Sequence, residues 1–157
     1  MKKLLTIAIG ITIFLLSSCS IQTEFRIPQN LPPNIIASEP AEFYDLVTLE
    51  KVDEILGTKV EEGAAAFYQD RFKSVVVYVG FFNSTLKSRM FFEGIALKNI
   101  FSLKKYAESI GGGVIEIEKK SEKLCILWDK FYVIVIKGDE ELVKKIFKIY
   151  INIFSNY

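Results

Sequence analysis

The chain has 157 residues, of which half are hydrophobic and a quarter are charged, with a formal net charge of +1, two cysteines and no histidine. This length indicates one domain, the apolar content excludes a disordered chain, and the near-neutral charge argues against a nucleic-acid-binding protein. The absence of histidine removes the most common general base and zinc ligand, and two cysteines cannot form a disulfide framework. We therefore expect no enzymatic activity, no catalytic or metal-binding residues and no cofactor.

The amino terminus has the pattern of an export signal. Lys2 and Lys3 precede an uncharged apolar run of thirteen residues, 4–16, and small residues follow it. As a helix this run reaches only about 20 Å, whereas the hydrocarbon core of a bilayer is roughly 30 Å thick. The pattern therefore predicts a cleaved signal peptide rather than a transmembrane helix.

The end of this signal, with the sequence Leu-Ser-Ser-Cys, resembles the lipobox of bacterial lipoproteins. The resemblance implies that residues 1–18 are removed and that Cys19 carries a diacylglycerol, usually with a further fatty acyl chain such as palmitate on the new amino terminus. Two or three acyl chains, contributing about 0.8 kcal/mol per buried CH₂, would hold the protein at a membrane permanently. Ser20, rather than aspartate, after the cysteine favours the outer membrane in bacteria with two membranes, with the domain facing the periplasm or the exterior.

All four prolines of the chain lie within residues 28–40. Proline fixes φ and removes a backbone donor, so this crowding predicts an extended tether over residues 19–40. A single domain is expected over residues 41–157. Apolar residues within the tether, such as Phe25 and Ile36, leave open whether part of it docks on the domain.

Helices are predicted for most of the first half of the domain. Thr48 can cap a helix that ends at Gly57, and an alanine-rich helix is expected over 61–69. The β-branched run within 72–82 predicts a buried strand, and a further helix is expected over 84–98.

The second half of the domain is predicted to hold one helix, three strands and a final helix. Ser102 can cap the first of these helices, which ends before Gly111. The strands and the last helix are expected over 114–119, 123–129, 131–137 and 139–154. Short connections between the strands favour antiparallel hairpins. Together the elements indicate an α+β fold: an antiparallel sheet of about four strands packed with helices, including a C-terminal amphipathic helix.

The segment Glu-Gly-Ala-Ala-Ala-Phe-Tyr before the valine-rich strand resembles an uncharacterised family of bacterial secreted proteins. That family carries an Asn-Gly-x-Ala-Glu-x-Tyr segment after a short helix. Gly63, Ala65 and Tyr68 match it, whereas Glu62 and Ala66 depart from it at its two polar positions. Because the family carries no established activity, the resemblance implies an α+β fold and nothing about function.

The last predicted helix has an apolar face of roughly 200°, whereas packing on one sheet needs a stripe of a little over 100°. The helix must therefore touch two partners, lie in a groove or expose apolar side chains. Aromatic residues of the preceding strands could line a pocket beside it. The candidate partner or ligand surface consists of apolar and aromatic residues of these elements: Phe147, Ile149, Tyr150, Ile151, Phe154, Trp128 and Tyr132.

Other features that could carry chemistry have simpler structural explanations. Glycines 111–113 follow a predicted helix instead of opening one, unlike phosphate-binding loops, and indicate a helix end with a flexible turn. Cys125 lies within an apolar strand and is expected to be buried and unreactive. Glu116 and Glu118 alternate with isoleucines, as on a strand face that meets water.

These observations favour a lipid-anchored cell-envelope protein whose domain is a non-enzymatic, protein-binding or assembly accessory module. Its expected partners are the membrane, through Cys19, and an envelope protein; a second copy of the chain is left open, and no nucleic acid is expected. The alternative is a binding module for an apolar small molecule or lipid. That alternative requires a cavity of about 300 Å³ or more, lined by Trp128, Tyr132 and Phe147.

Overall fold

The computed structural model of the protein describes residues 25–109 and 111–156. The predicted signal peptide and Cys19 lie outside the described residues. Within the described ranges, no helix combines the length and the apolar character needed to cross a membrane.

Three helices and seven strands make up the described part of the chain. The helices are α1 (Pro33–Ser38), α2 (Thr85–Lys98) and α3 (Glu140–Phe154), with 3₁₀ turns at Glu39–Glu42 and Ile100–Ser102. The strands are β1 (Asp45–Ile55), β2 (Thr58–Asp70), β3 (Lys73–Phe81), β4 (Leu103–Ser109), β5 (Gly112–Lys119), β6 (Glu122–Asp129) and β7 (Tyr132–Gly138).

The strands form one antiparallel sheet in the order β1-β2-β3-β7-β6-β5-β4. The predicted sheet of about four strands is therefore wrong, because the sheet has seven, although the fold remains α+β in kind. The three additional strands are β1, β2 and β4, which were each predicted to be helices.

Hairpin pairing overrides the local helix signals in these three strands: β1 pairs with β2, β2 also pairs with β3, and β4 pairs with β5. In β1, the pairing with β2 shifts register between Leu46 and Thr48 and between Val52 and Glu54, which disrupts the two-residue alternation by which a strand is recognised. In β2, small side chains such as Ala64 and Ala66 are buried in the core of the face on which α1 packs. Alanine favours a helix locally, but here the small side chains at these positions let a helix approach the strand closely.

The remaining elements confirm the sequence predictions. β3, α2, β5, β6, β7 and α3 lie where they were expected, and the last three strands are joined as antiparallel hairpins. The predicted caps Thr48 and Ser102 do not begin helices, because strands occupy the segments they were expected to cap. The helices that do form are capped at their starts: the Ser84 side chain accepts a hydrogen bond from the Leu86 N–H at 3.2 Å. Asp139 accepts hydrogen bonds from the Glu141 and Leu142 N–H groups at 3.1 and 3.2 Å.

One face of the sheet, called the α3 face, is covered by α3, α1 and the segment before α1. The Tyr150 hydroxyl on α3 donates a hydrogen bond to the Ile36 carbonyl on α1 at 2.8 Å. The wide apolar face of α3 therefore packs on two partners, the sheet and α1. This is one of the three arrangements that the sequence allowed. Phe25 and Ile36 are buried in this core, so the packed domain reaches back through the proline-rich segment at least to Phe25.

The opposite face, called the α2 face, is covered by α2 and by the end of the β1–β2 hairpin. Ile55, near the hairpin end, is buried in one apolar cluster with Phe91 of α2. A Cβ atom on Gly80 of β3 would lie only 2.8 Å from the Ile55 Cδ1, so a larger residue there would displace the Ile55 side chain. Beneath α2, the Trp128 Nε1–H donates to the Ser88 hydroxyl at 3.0 Å.

Candidate functional site

The sheet separates the residues that were predicted to form one partner or ligand surface. Trp128 is buried on the α2 face, whereas Tyr132 is buried on the α3 face together with Tyr150 and Phe154. Phe147, Ile149 and Ile151 of α3 are partly buried. Trp128 and Tyr132 therefore cannot line one cavity with Phe147, and the predicted cavity between them does not form.

A different cavity lies between α2, the end of the β1–β2 hairpin and the ends of β5, β6 and β7. This α2 cleft has a volume of about 280 Å³, close to the lower end of the range typical of ligand pockets, roughly 300–1,000 Å³. It is lined by residues of all five elements and of the turn after α2: Leu56, Thr58, Met90, Phe91, Gly94, Ile95, Lys98, Asn99, Ile117, Lys119, Glu122, Leu124 and Lys137.

The α2 cleft has an apolar interior and a positively charged rim. Phe91, Ile95 and Ile117 are buried and belong to the core of the α2 face. Three lysines line the cleft against one glutamate, so its net charge is positive; they are Lys98, Lys119 and Lys137, with Glu122. Lys137 Nζ lies 3.4 Å from Glu122 Oε1, which leaves Lys98 and Lys119 as the cations in excess. This combination suits a ligand with an apolar body and an anionic group.

Two residues of the α2 cleft are locally unfavourable for the fold. Gly94 lies in the interior of α2, where glycine costs about 1 kcal/mol relative to alanine, and a Cβ atom there would meet no atom within 4 Å. Packing thus does not explain why this residue is glycine, but the absence of a side chain there widens the cleft. Leu56 has φ +48°, a left-handed conformation that costs a leucine roughly 1–2 kcal/mol. The turn conformation brings it to the edge of the cleft.

Two of the carbonyl groups at the end of α2 are paired beside the cleft. The Asn99 backbone N–H lies within hydrogen-bonding distance of the Ile95 and Ala96 carbonyls, and the Asn99 side-chain amide donates to Ile95 at 2.9 Å. These bonds satisfy two of the acceptors at the negative end of the helix.

Outside the cleft, the side chains that could carry chemistry have structural roles instead. Burial raises the pKa of the Cys125 thiol to about 12, and the residue is fully buried, as the sequence predicted. Glu116 pairs with the nearly buried Lys123, at 2.9 Å between Oε2 and Nζ. Within residues 25–109 and 111–156, no three histidine, cysteine, aspartate or glutamate side chains are grouped so that they could hold a metal ion.

The residues of the α2 cleft were missed by sequence reasoning. Gly94 is the only signal that could have indicated them, because a glycine inside a predicted helix calls for a packing or functional reason. Lys119 and Lys137 lie in different strands, and nothing in their spacing shows that both approach the end of α2.

Comparison with known protein families finds no family that matches the chain, and comparison with curated proteins finds no match either. Among solved structures, the fold is similar to a crystal structure of a GTP binding regulator from Thermotoga maritima, with a TM-score of 0.55 and 18% sequence identity. The similarity covers 77% of this chain and 92% of that one. At this identity the likeness extends to the fold alone.

Proposed function

We propose that this chain is a lipid-anchored cell-envelope protein whose domain binds, without catalysing a reaction, a small amphiphilic ligand in the α2 cleft. The observation that carries the proposal is the composition of the cleft, in which an apolar interior meets excess lysines around the unexplained Gly94. The apolar interior would hold the body of the ligand, and Lys98 and Lys119 would pair with its anionic group.

The membrane part of the proposal rests on the lipobox-like sequence that ends at Cys19. Its support from the fold is that the packed domain begins no later than Phe25, so the domain would be held next to the bilayer. Six steps of fully extended chain separate these residues, a reach of roughly 20 Å. Ser20 favours the outer membrane in a bacterium with two membranes.

The protein-binding role that the sequence suggested is weakened in one of its arguments, the apolar face of the last helix that is wider than one sheet contact needs. Tyr150 and Phe154 of this face are buried by the chain itself, and Phe147, Ile149 and Ile151 are partly buried. We therefore prefer the ligand-binding alternative, at the α2 cleft instead of the site first expected.

Two experiments test the two parts of the proposal separately. For the anchor, mass spectrometry of the membrane-extracted protein should find an acylated Cys19 at the amino terminus, and Cys19→Ser should move the protein out of the membrane fraction. An unmodified Cys19, or an amino terminus elsewhere, would contradict the anchor.

For the cleft, we would titrate the mature chain, residues 19–157 with Cys19→Ser, with a dansylated fatty acid. Gly94→Leu should fill the cleft and weaken binding about tenfold or more, equivalent to about 1.4 kcal/mol. Lys98→Glu should weaken binding of the acid but not of its methyl ester. Lys148→Glu, an exposed lysine on α3, is the matched control. Binding that is insensitive to Gly94→Leu would exclude the cleft as the site.

A further inference from the structure

Helix α2 carries apolar side chains on both sides. Its inner side, including Phe92 and Ile95, is buried against the sheet. On its outer side, Leu86, Met90 and Leu97 are 64%, 62% and 70% exposed, and helical spacing places them in one stripe. The stripe continues into the turn after the helix. We name these five residues the α2 stripe: Leu86, Met90, Leu97, Ile100 and Phe101.

The α2 stripe has the character of a binding surface. Five large apolar side chains are at least half exposed along one helix and the turn that follows it, and Phe101 is fully exposed. Single exposed apolar residues are ordinary, but a group of them usually marks a site of contact with a protein or a membrane. The partly buried Glu93, which pairs with Arg89, lies between Met90 and Leu97 on the same side of the helix. Lys87 and Lys98 lie beside the stripe, and both are exposed.

We propose that the α2 stripe lies on a lipid bilayer, with its apolar side chains among the lipid headgroups and Lys87 and Lys98 facing anionic lipids. Exposed apolar side chains enter the headgroup region of a bilayer, and lysines beside them are attracted to anionic lipids. The inference rests on the proposed anchor at Cys19, because that anchor keeps a bilayer next to the domain.

The length of the chain before Phe25 permits this orientation. The roughly 20 Å that separate Cys19 from Phe25 in an extended chain are about equal to two packed layers of secondary structure at ~10 Å each. Phe25 packs on the α3 face and α2 lies on the opposite face, so the chain before Phe25 spans these layers when it is nearly fully extended. The acyl chains and the α2 stripe can therefore reach the same membrane.

The orientation would place the α2 cleft at the membrane surface. Met90 belongs both to the α2 stripe and to the lining of the cleft. A ligand with an apolar body could then pass between the bilayer and the cleft without crossing water. The two proposals share Met90 and Lys98, but the stripe also depends on Leu86, Leu97 and Phe101, which do not line the cleft.

Single-cysteine labelling tests the inference on the acylated chain. Cys125 is buried, and an acylated Cys19 has no free thiol, so Met90→Cys or Leu97→Cys introduces one reactive site. Each variant would be labelled with a polarity-sensitive fluorophore and reconstituted in phosphatidylethanolamine–phosphatidylglycerol vesicles containing brominated lipid. Val47→Cys, which is 58% exposed on edge strand β1, is the matched control.

We expect the labels at positions 90 and 97 to shift to shorter wavelength and to be quenched by the brominated lipid, and the label at position 47 to remain in water. Stripe labels that stay unquenched would overturn the inference. A shift that appears without vesicles and grows with protein concentration would also overturn it, because a second copy would then cover the stripe.

The same labels separate this inference from the proposed anchor. If mass spectrometry finds no acyl chain on Cys19, vesicles can be added to the unacylated chain labelled at position 97, after its Cys19 has been changed to serine. Quenching would still support the stripe as a membrane surface, and its absence would overturn the inference.

Discussion

The backbone N–H of Ile27 donates a hydrogen bond to Asp129 Oδ2 at 2.7 Å, across 102 positions of the chain. Asp129 lies at the end of β6 and is almost fully buried. The Arg26 guanidinium lies 3.6 Å from the other carboxylate oxygen, and the Arg26 N–H donates to the Phe154 carbonyl at 2.9 Å. These contacts hold the start of the packed domain beside the end of α3. They determine where the chain leaves the domain toward the proposed anchor.

Asp129→Ala should release this amino-terminal segment. The substitution leaves the buried Ile27 N–H without its acceptor, which typically costs about 1–3 kcal/mol. We expect lower stability in chemical denaturation and faster hydrogen exchange at residues 25–31. Asp53→Ala, at an exposed position of β1, is the control and should change neither. Unchanged exchange at Ile27 in the Asp129 variant would contradict the role assigned to this carboxylate.

The stability of the domain should depend on pH through Asp129. Burial raises the pKa of this carboxyl group, and the Ile27 hydrogen bond and the Arg26 charge only partly offset the effect. The folded state therefore binds the proton more tightly than the unfolded chain, whose aspartate pKa is about 3.9. The stabilisation from this group is complete below that value and is lost as pH rises through the folded-state pKa.

We accordingly expect the free energy of unfolding of the wild type, measured relative to Asp129→Asn, to increase when the pH is lowered from 7 to about 4. Urea denaturation of the two proteins across this range provides the measurement. A difference that stays constant, or that shrinks on acidification, would show that the buried carboxyl group does not titrate as its surroundings indicate.

Alanine at two glycines should have opposite effects on stability. Gly94→Ala should stabilise the domain by about 0.5–1 kcal/mol, because the new Cβ meets open space within a helix. Gly113→Ala should destabilise it by about 1–3 kcal/mol, because a Cβ there would lie 2.6 Å from the Phe92 ring. Thermal and chemical denaturation should show that the first variant is more stable than the wild type and the second less stable. Destabilisation by Gly94→Ala would mean that packing requires this glycine.

Tyr150→Phe should weaken the contact between α3 and α1. The buried hydroxyl donates to the Ile36 carbonyl, and Ile36 itself is fully buried. The Glu39 N–H still bonds this carbonyl, so the substitution removes one of its two donors, at a cost of about 0.5–1.5 kcal/mol. Tyr106→Phe is the control, since the Tyr106 hydroxyl bonds to the exposed Glu108. Equal stability of the Tyr150 variant and the wild type would indicate that water or a neighbouring donor replaces the hydroxyl.

Part of the fold could be predicted because local signals agreed with the tertiary structure. Helices α2 and α3 begin where they were expected, after Ser84 and Asp139, and the apolar runs of β3, β6 and β7 have covering elements on both faces. The apolar residues of the α2 segment follow neither the helical period nor the strand period well. Its structure explains this, because Leu86 and Leu97 are apolar residues on its outer side, opposite the buried Phe92.

The candidate site could not be predicted in the same way. Trp128 and Tyr132 are close in sequence, but they lie on neighbouring antiparallel strands and face opposite sides of the sheet. Lys98 and Lys137 are far apart in sequence, yet both line the α2 cleft. Side-chain alternation separates the first pair, and long-range strand pairing brings the second pair together.

The amino-acid sequence alone determined the export signal pattern, the lipobox-like segment before Ser20 and the elements whose caps and apolar runs are local properties of the chain. The tertiary structure decided that β1, β2 and β4 are strands, that the segment from Phe25 packs into the core, and that a cleft forms beside Gly94. The reason is that caps and periodicity depend on neighbouring residues, whereas strand pairing, burial and the shape of a cleft depend on which distant residues meet.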